Sequence, residues 1–179
     1  MILEIIGKKA TTLGLAKNLS KPKNPISTGV KTDDRVYQMA KALAEFLSEK
    51  KKEGLTYDKA KFVEQIARME SNHFKSELLY RCNNPGAVIK SKPSSDTLTV
   101  YVKPLYDENG KFKRNIITDA EEPGAKAYHY KVYPTLQDGY EALYNVIVAN
   151  NFDYKKYSGD PNASLKGIKT PIADSIYNS

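Results

Sequence analysis

Between residues 32 and 54 the apolar side chains Val36, Met39, Ala40, Leu43, Phe46 and Leu47 recur at three- and four-residue steps. That spacing predicts a helix with one buried stripe, capped by Thr32 or Asp33 and stopped by a lysine-rich end and Gly54. A second helix is expected after Thr56, with Val63, Ile66 and Ala67 on one face and Phe62 and Met69 beside them. A break at 71–76 precedes a short apolar helix over 77–80. From Thr97 the period becomes two. Residues 97–103 alternate, Asp107-Glu108-Asn109-Gly110 carries a hairpin signal, and 112–117 and 127–133 supply two further strands. Helix returns with Thr135 as cap and Leu136, Tyr140, Leu143, Tyr144, Ile147 and Val148 on one face. The tail, after a Gly-Asp-Pro-Asn loop, suggests short helices at 164–167 and 172–177. The expected fold class is α+β, a mostly helical body with a small antiparallel β lobe between helices.

Composition sharpens this picture. The 179 residues suffice for one domain with its own core, and 40% apolar and 27% charged residues are ordinary for a globular protein. No apolar run approaches the roughly 20 residues that span a bilayer, and the first residues do not read as a secretory signal. Cys82 is the single cysteine, and neither His73 nor His129 stands in a metal-ligand spacing, so metal-free, cofactor-free chemistry is expected. Of the net charge of +7, +5 falls in residues 1–31, where six lysines face Glu4 alone. Residues 18–31 are rich in proline and polar groups and read as a linker. The expected organisation is a basic N-terminal arm, 1–31, ahead of a domain over 32–179. Such an arm suits an anionic surface or another protein of an assembly; nucleic acid is the weakest of the partners considered.

Glu70 is the candidate for chemistry. It lies seven residues after Val63, four after Ile66 and three after Ala67, so its carboxyl extends the apolar stripe. An acid facing inward at the C-terminal end of a helix loses solvation and meets the negative end of the helix dipole. Both raise its pKa, as a general acid requires. Asn83-Asn84-Pro85-Gly86 cannot be helical and reads as a turn presenting amides that suit sugar hydroxyls.

Met69-Glu70-Ser71-Asn72-His73-Phe74-Lys75-Ser76, followed by Asn83-Asn84-Pro85-Gly86, resembles the pattern of bacterial and phage glucosaminidases in the lysozyme superfamily. Tyr130-Lys131-Val132-Tyr133-Pro134-Thr135, then Asp138-Gly139-Tyr140, is similar to that family's segment after the β lobe. The resemblance spans about residues 57–150 and implies a lysozyme-like fold cleaving β-1,4 bonds between N-acetylhexosamines of peptidoglycan. It implies Glu70 as proton donor, Tyr133 as a catalytic tyrosine at the reacting sugar, and Ser76 and Asn84 as support for the cleft wall. Asn83, Tyr128 and Tyr130 join Ser76 and Asn84 as candidate substrate-binding residues, since a chain without tryptophan must stack sugars on tyrosine.

A second carboxylate would activate water or act as nucleophile. Asp96, Asp107, Glu108, Asp119, Glu121 and Glu122 lie in or beside the β lobe, with Asp119 and Glu122 preferred because they fall between the second and third strands. A lytic transglycosylase would need no such partner. The expected setting is a phage virion, or a host cytoplasm from which another factor delivers the protein to the wall. The competing reading is a virion structural or attachment protein with the same fold and little turnover.

Overall fold

A computed structural model describes residues 3–5, 32–118 and 121–178. Its first helix, α1 (Thr32–Lys52), buries Met39, Leu43 and Leu47 completely. It ends where Gly54 takes φ 96°, which lets Leu55 N–H reach back to Lys50 O. Helix α2 (Tyr57–Glu70) buries Ala60, Val63, Ile66 and Ala67, and α3 (Glu77–Arg81) is capped by the Ser76 hydroxyl. Helix α4 (Leu136–Ala149) opens on the Thr135 hydroxyl, which accepts from Asp138 N–H, and buries Leu136, Tyr140, Leu143 and Ile147. Val148, expected on that face, is 43% exposed: it lies one residue round from Ile147 and faces outward.

The chain is mixed α+β. The strands form one sheet in the order β1-β4-β3-β5-β2, comprising β1 (Leu3–Ile5), β2 (Ile89–Lys90), β3 (Thr97–Tyr106), β4 (Phe112–Thr118) and β5 (Lys126–Lys131). Strands β2 to β5 pair antiparallel, and β1 lies parallel to β4. Part of the segment expected to be an arm thus joins the sheet; the rest of 1–31, and the linker within it, lie outside the described residues. Two elements escape periodicity because they are short, β2 and α5 (Tyr154–Ser158). The helix expected at 164–167 is instead a turn, where the Ser164 hydroxyl accepts from Lys166 N–H and Gly167 takes φ 88°. The terminal helix is α6 (Pro171–Tyr177).

Two cores result. Helices α1, α2, α4 and α6 enclose one; the other lies on the sheet, where Leu78, Leu79 and Cys82 meet Leu98, Val100, Val102, Ile117 and Tyr130. Short α3 serves both, giving Leu78 and Leu79 to the sheet core and Tyr80 to the helical one.

Strand β5 stops at Lys131, two residues before the expected end, because the chain turns to bond Cys82, Asp96 and Asn83. Tyr133 N–H donates to Cys82 O, and Val132 N–H to Asp96 O. Helix α4 then crosses the Asn-Asn-Pro-Gly segment so closely that a Cβ on Gly139 would lie 1.8 Å from Asn83 O, and one on Gly86 would lie 2.8 Å from Leu143. Gly139→Ala forces backbone against backbone and is expected to cost about 3 kcal/mol or more. A lowered denaturant midpoint with an unchanged slope checks this.

Candidate active site

The site is built on α2. Glu64, fully buried, accepts from the Arg68 guanidinium at 2.7 Å one turn later. Its oxygens also accept from Ala173 N–H at 2.7 Å and Ile172 N–H at 3.3 Å, the first free donors of α6 after Pro171. Arg68 in turn stacks its guanidinium 4.8 Å from the centre of the buried Phe74 ring. These contacts hold the C-terminal half of α2, and with it Glu70.

Immediately after Glu70 the backbone does something costly. Asn72, His73 and Phe74 take φ of 51°, 55° and 68°, three consecutive side-chain-bearing residues in the left-handed region. Each costs about 1 kcal/mol. The turn persists because His73 N–H donates to Arg68 O, Ser76 N–H to Ser71 O, and Phe74 N–H to the Ser71 hydroxyl. It lets the chain reverse directly after Glu70, and strain of this kind concentrates at functional sites.

Glu70, at the end of α2, is half-buried. From α5, the Tyr157 hydroxyl donates to Oε1 at 3.3 Å. Tyr154, stacked on Tyr157 at 6.3 Å, donates its hydroxyl to the sulfur of Met69. From β5, buried Tyr130 has its pKa raised by burial first, then by Tyr128 and Cys82, and least by the Glu70 charge. Burial pushes the Glu70 carboxyl above the usual carboxylate range, partly offset by the Tyr157 hydrogen bond. Tyr157 is driven upward in turn, by burial and then by the Glu70 charge.

The other candidates divide. Tyr130 feels the Glu70 charge weakly, and Tyr128 packs beside it with ring centroids 6.4 Å apart. Tyr133 does not feel the Glu70 charge: burial raises its pKa to about 12, and its charged neighbour is Asp96. Asn83 and Asn84, expected to present amides to a sugar, are fully buried and bonded to the protein itself. Asn84 Nδ2 donates to Val88 O and Lys131 O while its Oδ1 accepts from Val88 N–H; Asn83 Nδ2 donates to Tyr133 O. They fasten sheet to helices, in a turn that lies against Gly139 of α4. Ser76 is the α3 cap.

Among the described residues no second carboxylate perturbs Glu70. Glu122 is exposed and pairs with Lys103 at 3.5 Å. Asp96, bonded to Lys90 at 2.6 Å and to Ser94, falls to about 2. Asp107 closes the hairpin turn by accepting from Asn109 and Lys111 N–H. Glu108 and Glu121 are exposed, and Asp119 lies outside the described residues. Also among the described residues, no three His, Cys, Asp or Glu side chains converge as a metal site, and no helix is long and apolar enough to cross a membrane.

No family model, curated protein or solved structure matches this chain. The site therefore rests on its own geometry. Sequence reasoning missed Tyr154 and Tyr157, whose signal was only a tyrosine pair three residues apart in an unassigned tail.

Because Glu70 holds its proton more tightly when folded, the native state binds more protons than the unfolded one above the ordinary carboxylate pKa. Its contribution to stability is thus present at low pH and lost as pH rises through the folded pKa. Glu70→Gln removes this loss and should raise Tm at pH 7 but not at pH 3. Tyr157→Phe deletes a hydrogen bond to the charged form, so the Glu70 pKa should rise further; NMR titration of the carboxyl carbon reads both direction and size.

Proposed function

We propose that the protein cleaves the β-1,4 glycosidic bonds of bacterial peptidoglycan, with Glu70 as general acid on a lysozyme-like scaffold. The observation that carries this reading is the placement of a half-buried, raised-pKa carboxyl where the end of α2 meets two tail tyrosines. A carboxyl there keeps a proton for the glycosidic oxygen, and the Tyr157 hydrogen bond fixes the rotamer from which it is delivered. As the proton moves, the bond from the anomeric carbon to the leaving oxygen breaks and positive charge develops on the sugar ring. The carboxylate left on Glu70 then faces that charge in a poorly hydrated setting, where attraction is strong. Tyr128, only partly buried and packed beside Tyr130, offers aromatic surface for the sugar on the sheet side.

The fate of the sugar cation after protonation depends on the second group. Hydrolysis calls for a carboxylate to direct water, for which Asp119 is the remaining candidate from the sequence. Intramolecular attack by the substrate's own hydroxyl dispenses with it, in keeping with a Glu70 that has no carboxylate partner among the described residues.

Glu70→Gln should lower glycan release from purified peptidoglycan by about 10²–10⁴-fold while the fold is retained. Mass spectrometry of the products assigns the reaction: a reducing N-acetylglucosamine, a reducing N-acetylmuramic acid and an anhydro sugar each name a different cleavage. No release by the unaltered protein, or equal release by both proteins, overturns the proposal.

A further inference from the structure

Between the end of α4 and the start of α6 the chain runs from 153 to 169 without one buried residue. Both ends of this stretch are anchored. On one side Phe152 sets its ring edge-on to Phe62 at 5.9 Å and to Tyr144 at 6.1 Å. On the other, buried Thr170 leads into α6, whose Ala173 N–H is held by Glu64. Pivots lie beside the anchors: Asn151 and Phe152 each take φ 55°, and Gly167 takes φ 88°.

Inside the stretch the chain bonds mainly to itself. Asp153 caps α5, the Ser158 hydroxyl accepts from Asp160 N–H, Asp160 Oδ1 from Asn162 N–H, and the Ser164 hydroxyl from Lys166 N–H. At its two ends Asp153 N–H donates to Asn150 O, and Gln65 Nε2 to Ile168 O. Among the described residues, the hydrogen bonds that tie the middle to the rest of the molecule come from two phenols, Tyr154 to the Met69 sulfur and Tyr157 to Glu70 Oε1. Tyr154, Tyr157 and Leu165 touch the helical core while only partly buried. A segment with so little buried surface, bonded within itself and anchored at its ends, detaches cheaply as one unit. Both phenols end on the last two residues of α2, so detachment exposes Glu70 and removes its hydrogen bond together.

We infer that residues 153–169 are a strap that lifts off the end of α2 to admit the glycan and closes to return the Tyr157 hydroxyl to Glu70. The inference rests on the glycan-cleaving reading and adds a gate to it. The closed state carries the donor that orients Glu70, and the open state gives a long strand room to enter.

Native-state hydrogen exchange tests the strap without a substrate. The bonded amides of Tyr157, Gly159, Ala163 and Ile168 should exchange through one shared opening, at least about 10²-fold faster than those on the buried face of α4. Tyr157→Phe removes the latch and should speed that exchange about fivefold while leaving α4 unchanged. Strap amides as protected as those of α4, or a Tyr157→Phe effect that is absent or spread over the whole molecule, overturns the inference. A second test holds the strap shut. Met69→Cys with Tyr154→Cys puts a thiol on each side of the latch, and a short bismethanethiosulfonate joins them across the space the two side chains vacate; Cys82 is buried and stays unreacted. Tethering should lower glycan release at least about tenfold, with recovery on reduction. Release by the tethered protein at the rate of the reduced one overturns the gate and leaves the function standing. Absence of release by the unaltered protein overturns the cleavage reading, and the exchange measurement still decides the strap.

Discussion

A single buried carboxylate organises the helical body. Glu64 is charged, fully enclosed, and accepts at once from a guanidinium one turn along its own helix and from the first two free N–H groups of α6. Removing one partner from such a pair leaves an uncompensated buried charge, which costs several kcal/mol, so the contacts constrain one another. Glu64 fixes Arg68; Arg68 covers Phe74; Phe74 holds the left-handed turn; and that turn sets the exit of the chain after Glu70. The α6 N-terminus, which lacks a side-chain cap from Thr170, takes its cap from Glu64 more than a hundred residues earlier. The terminal helix thus belongs to the same construction as the candidate acid.

The two glutamates of α2 show how environment divides one residue type between two tasks. Glu64 and Glu70 are six residues apart, and both point inward. The first is met by a cation and two backbone donors. The second meets only a phenol at hydrogen-bonding distance, so burial dominates and its pKa is raised. A carboxyl compensated so poorly costs the fold stability once its proton is lost.

Much of the fold was legible in the residue pattern. The stripes of α1, α2 and α4 and the alternation of β3 are long enough for their period to dominate, and capping by Thr135 was readable from its place before an apolar run. The pattern failed where elements are only a few residues long, at β2 and α5, and where a turn imitates a helix, at 164–167. At the site, the inward phase of Glu70 was readable because it depends only on helical geometry. The fate of Asn83 and Asn84 was not, because a turn asparagine serves a ligand or a neighbouring strand equally well until Gly139 brings α4 against it.

The sequence by itself determined which stretches become helix or strand and that one acid extends the apolar stripe of α2, since these depend on spacing along a few turns of chain. Tertiary structure alone decided which tyrosines reach that acid. Tyr157 lies 87 residues from Glu70, and the Tyr157 contact exists because α5 packs back onto α2, while Tyr133 is drawn away to bond Cys82. Local periodicity is a property of neighbours in the chain, whereas the electrostatics of a buried carboxyl are set by whichever distant groups the folded core brings to it.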